Sequence, residues 1–313
     1  MDNLCQSIGG NVAEIACAPR MAKPMYILLT NGKTFSQSDM ASSSAFQTAL
    51  TAAMNKPTGD PAKVYCFPVI REVDDNTEEP ETGTLQDGYS EVLSEKAPAY
   101  TFRTTGSYCQ AQSMASFNGW SDKAYIIDTN KRLFYVRTSA GGAQGWSVGS
   151  IYTNPPRWAG GGAIVTTSTK LSLGNLDEFK GDVGVLQVDF NPTKLVNLQD
   201  VILKEVDTAV GYVFTIGGSV KCSNTNIYTS YKTLLAVTGA WTAKRLDTNA
   251  SVNITTVTAD DTHSGWDITL DNGTAIPTGT KIEINLASPA ALAALGSPVT
   301  GIEGIKIVVT KPA

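Results

Sequence analysis

Short runs of branched and aromatic residues, each set off by Gly, Asn, Asp or Pro, recur along almost the whole chain. That texture predicts a mainly β protein. Two stretches break it. In 40–54, Phe46, Leu50 and Met54 share one helical face at i, i+4 and i+8, with Ser38 or Asp39 to cap it and Pro57 and Gly59 to close it. In 288–296, a Ser cap, Pro289 at the first helical position and a terminal Gly come in the order that a short helix uses. The first helix is flanked by strand candidates at 25–30 and 64–70 and is expected to cover one face of a sheet. Further strands are expected at 100–104, 124–128, 133–137, 144–152, 163–171 and 183–190, some joined by turns such as Thr129-Asn130.

Beyond Lys204-Glu205-Val206-Asp207-Thr208 the runs become regular, at 212–216, 233–237, 243–247, 254–258, 266–270, 281–285 and 305–310. This count and spacing suit an immunoglobulin-like sandwich, without the Cys, Trp, Cys signature of antibody domains. Asp271-Asn272-Gly273 reads as a hairpin turn, and the 288–296 helix as a bridge between the last two strands. The expected division is an N-terminal arm over 1–23, a β-rich domain of sandwich or barrel-forming type over 24–205, and an immunoglobulin-like sandwich over 206–313.

Composition narrows the function. Charged residues make up 17% of the 313 residues, against about 25% in ordinary soluble chains. The net charge of -5 argues against wrapping duplex DNA or binding anionic membranes, both of which need clustered positive charge. With one histidine, His263, the common His-rich metal sites and most His-dependent acid/base machinery are excluded. The five cysteines, Cys5, Cys17, Cys66, Cys109 and Cys222, include no C-x-x-C pair, so most are expected to be buried thiols. An acidic start and a first apolar run of only 24–29 predict cytoplasmic synthesis without a secretion signal or membrane span.

Candidate chemistry is sparse. Gly145-Trp146-Ser147-Val148-Gly149 matches the G-x-S-x-G elbow in form, with Asp260 and His263 following in hydrolase order. Its surroundings read as strand and loop, whereas an elbow needs a strand turning into a helix. His263 lies in a polar turn with Asp260 or Asp261 as partner and reads as an exposed loop histidine. The acidic stretch 74–81 lacks EF-hand spacing and reads as a solvated loop. Trp120, Trp146 and Trp158 are able in principle to line a sugar-binding face; Trp146 reads instead as a packed residue. Trp158, with Arg157 between prolines and glycines, reads as an anchor at a subunit contact. No catalytic, cofactor or metal constellation is expected.

The order of a β-rich domain with one main helix and an immunoglobulin-like domain resembles the major tail (tail tube) proteins of tailed bacteriophages. Segments 64–70, 82–88 and 116–119 look like those of phage-type proteins of Bacteroidetes. The resemblance implies a homo-oligomeric ring, stacked into a tube through loops and arms, in contact with other virion proteins. DNA would only pass through a neutral or negative lumen, and no membrane is involved. The location implied is the virion, after synthesis in a host cytoplasm. Ile8, Val12, Ile15 and Met21 of the arm, with Arg157 and Trp158, are then the expected assembly contacts. Low charge fits, because Lys, Glu and Asp are depleted in interface cores. A capsid or capsid-decorating subunit is the alternative, and a carbohydrate-binding or hydrolytic β protein the second.

Overall fold

The computed structural model describes residues 21–84, 86, 90–155, 165–181, 183–191, 195, 198–271 and 276–312. The protein is mainly β, with several antiparallel sheets, and divides into two compact units, one of residues up to Met54 and Thr58–Val196, the other of Asn55–Pro57 and the residues from Asn197 on.

The first unit contains strands β1 (Pro24–Thr30), β2 (Val64–Cys66), β3 (Ile70–Asp75), β4 (Glu81–Thr84), β5 (Ser90–Ser94), β6 (Ala99–Thr104), β7 (Lys123–Asp128), β8 (Arg132–Arg137), β9 (Ala143–Gln144), β10 (Trp146–Thr153), β11 (Thr167–Leu173) and β12 (Val183–Gln187), with helices α1 (Ser43–Met54), α2 (Tyr108–Ala115) and α3 (Asp177–Lys180). Its main sheet runs β12-β8-β7-β10-β11-β6-β3, with β1 joining β7 to β2 and β9 added to β8. The path stays open, so β12 and β3 are its ends.

Strand β1 explains how this sheet is buried on both faces. Tyr26 and Leu28 point to one side, where Phe46, Leu50, Ala53 and Met54 of α1 cover them. Ile27 and Leu29 point to the other, toward Phe67, Phe102 and Trp146. A strand covered on both faces loses alternation and reads as the continuous apolar run seen in the sequence. The cap of α1 is Ser42, whose Oγ accepts from Ala45 N at 3.1 Å; Ser36 and Asp39 instead close a turn of their own. Helix α2 was not legible as a helix. It is short, held by Ser107 Oγ accepting from Gln110 N at 3.2 Å, and buries only Ala111 and Met114.

The second unit contains β13 (Gln199–Glu205), β14 (Val213–Val220), β15 (Trp241–Arg245), β16 (Ser251–Val252), β17 (Ile254–Asp260), β18 (Gly265–Leu270), β19 (Lys281–Leu286), β20 (Ile302–Ile305) and β21 (Ile307–Thr310), with helices α4 (Tyr228–Tyr231) and α5 (Pro289–Ala293). One sheet runs β17-β18-β14-β13-β20 and the other β16-β15-β19-β21. Taken in chain order, the first two strands sit in one sheet, the next two in the other, then two, then one, which is the immunoglobulin-like Greek key. The chain then changes sheets at Lys306: β20 lies parallel to β13, and β21 antiparallel to β19. Trp241 and Trp266 meet in the core with ring centroids 5.7 Å apart. Their indoles donate to Leu235 O and Lys232 O, at 2.8 and 3.0 Å.

Three expectations change here. The second unit begins before residue 206: Gln199–Glu205, assigned by sequence to the first domain, pairs with β14 and is the first strand of the sandwich. Residues 233–237 are not a strand; they form a loop that plugs Leu235 into the core and offers its carbonyl to Trp241. Asp271 does not begin a hairpin, because β18 and β19 belong to different sheets; Asn272 and Gly273 lie outside the described residues.

Candidate assembly surface

Asp74 and Asp75 of the acidic stretch end β3 and Glu81 opens β4, while residues 76–80 between them are exposed and without regular secondary structure, as a solvated loop requires. Strands β3 and β6 pair antiparallel from Ile70↔Thr104 to Asp75↔Tyr100. Arg103 holds this level by bonding Glu72 at 2.9 Å and Asp74 at 2.7 Å. Past it the chain stays doubled: Asn76 N donates to Ala99 O at 2.8 Å, and Ala99 N to Thr77 Oγ1 at 3.1 Å. Pro80 and Pro98, which lack a donor, mark the break before β4 and β5, which pair only with each other.

This terminal hairpin has little core of its own. Between Glu81↔Ser94 and Thr82↔Val92 the register shifts, so Leu93 is an extra, bulged residue. Glu81 pins the bulge by accepting from Ser94 Oγ at 3.1 Å and pairing with Lys96 at 3.1 Å. The result is two large apolar side chains in the open: Val92 is 53% exposed and Leu93 68%.

The G-x-S-x-G serine lies in β10, antiparallel to both β7 and β11, and no helix follows it as an elbow requires. Ser147 Oγ donates to Glu178 Oε1 at 2.7 Å, accepts from Lys123 Nζ at 2.8 Å, and the Ser147 amide donates to Glu178 Oε2 at 2.7 Å. Lys123 Nζ and Glu178 Oε1 stand 2.9 Å apart. Burial pushes the Glu178 carboxyl up, but the Ser147 and Lys123 donors outweigh it and hold the group below its ordinary value. A depressed carboxylate is a poor base, and the Ser147 amide is already spent on it. The cluster ties α3 to β10 and β7.

His263 lies in the turn between β17 and β18, with Nδ1 2.6 Å from Asp260 Oδ2 and 3.9 Å from Asp207 Oδ2. The Asp260 bond, ahead of the opposing desolvation and the further charges of Asp207 and Asp267, holds its pKa above the ordinary value. Among the described residues no three His, Cys, Asp or Glu side chains are grouped to hold a metal ion. No helix among them is long and apolar enough to cross a membrane.

Trp146 is 1% exposed and stacks on Phe179 at 4.3 Å. Trp120 packs edge-on against Phe117 and Tyr65. Trp146 therefore offers no face to a sugar. Cys66 is a buried thiol whose pKa is pushed up to about 12 by burial. Cys109 and Cys222 are disulfide-bonded, contrary to the thiol expectation; pairing is a matter of spatial approach, which spacing along the chain does not report.

Of the expected assembly contacts, Ile8, Val12, Ile15, Arg157 and Trp158 lie outside the described residues. Met21 is described and is 57% exposed. The sequence reasoning missed Val92 and Leu93. A signal for them existed: Asp87-Gly88 is a hairpin dipeptide between two short runs, and only the surrounding acidity disguised it. No protein-family model matches this chain, and no curated protein matches its sequence.

Proposed function

We propose that the protein is a self-assembling virion structural subunit, forming stacked rings of a phage tail tube that conducts DNA. The observation that carries this reading is the ribbon from β3 to β6, ending in a separate hairpin that exposes Val92 and Leu93. A doubled strand of this kind reaches beyond its own sheet and presents apolar side chains where only another molecule covers them. The open path of the main sheet, ending in β12 and β3, adds strand edges of the kind that subunits pair with one another. The low charged fraction suits a surface that becomes interface.

Electron microscopy of the purified chain tests the reading. Stacked rings or hollow tubes are expected, and removing residues 81–94 is expected to leave folded subunits that no longer assemble. Wild-type chains that stay monomeric at high concentration, or that build closed shells, overturn it.

A further inference from the structure

We draw no further inference here: the strongest candidate, the groove of about 300 Å³ between β15, β16 and the start of β17 in the second unit, carries nothing, because the Asn253 carbonyl in its wall accepts from the Asp271 amide, next to residues 272–275 that lie outside the described residues, and nothing in the structure shows what occupies it.

Discussion

The Ser147 hydroxyl donates to Glu178 Oε1 at 2.7 Å while accepting from Lys123 Nζ at 2.8 Å, so the serine of the one enzyme-like motif is fully occupied by a partly buried ion pair. Its role is mechanical, and the consequence is a stability effect. Glu178→Gln is expected to cost about 1 to 3 kcal/mol, because the Lys123 ammonium keeps its partly buried place without its counter-charge. Since the folded carboxyl titrates below its ordinary 4.5, its contribution is present above that pH and is lost as pH falls through the folded value. Thermal melts from pH 7 to 3 check this: the wild-type chain should lose more than Glu178→Gln. Equal acid sensitivity in both would rule the clasp out.

His263 gives the opposite dependence. Asp260, Asp207 and Asp267 all act to favour the imidazolium, while the nearby Asp261 is engaged by Lys232 at 2.6 Å and Asp267 accepts from Thr215 at 2.7 Å. A raised pKa stabilises below the ordinary 6.5, and that contribution disappears as pH rises through the folded value. Melting temperature should therefore drop on going upward from about pH 6.5 in the wild-type chain, and drop less in His263→Gln. The side chain is 37% exposed, so the effect is small and weakens with salt. A variant that tracks the wild type across this window would refute the assignment.

The cysteines divide by chemistry rather than by position in the chain. Alkylation of the folded, unreduced protein is expected to spare Cys66, which is buried with its thiol pushed up to about 12. Denaturant alone should expose Cys66 to reagent, whereas Cys109 and Cys222 should label only after reduction. Peptide mapping reads each site separately; modification of Cys109 or Cys222 without reductant would contradict the assignment.

What the sequence disclosed and what it hid follow from the range of the forces involved. Helices α1 and α5 were legible because caps, periodicity and stop residues are local, and α5 keeps its cap, with Ser288 Oγ accepting from Ala291 N at 3.3 Å. The strands of both units were mostly legible as apolar runs. The ribbon was not: Glu72, Asp74 and Glu81 look solvated in sequence, and the backbone ladders that make strands of them, β3 with β6 and β4 with β5, leave no apolar run to read. The unit boundary failed for a related reason. Nothing within Gln199–Glu205 says which neighbour it pairs with, and a parallel partner more than a hundred residues later, Ile302–Ile305, lies beyond any window read along the chain. The Ser147 cluster likewise joins three elements that sequence order keeps apart.

The two units are expected to fold without each other. Among the described residues, the first unit's two buried clusters run from Tyr26 to Phe190, on either side of the main sheet. The sandwich core runs from Val201 to Val309 and includes Trp241 and Trp266. Neither core borrows a buried side chain from the other unit, and each unit falls within ordinary domain size. In reductant, so that loss of the Cys222 disulfide is not a variable, a chain ending at Val196 should therefore keep its β-type far-ultraviolet dichroism, the near-ultraviolet signal of Trp146 and a cooperative melt. The cut belongs at Val196 and not at Glu205, because residues 199–205 left behind would be a strand without its sheet. A chain ending at Glu205 should expose Ile202 and Leu203 together with unpaired backbone, and aggregate more readily. Loss of the cooperative melt on truncation at Val196 would show that the first unit depends on the sandwich.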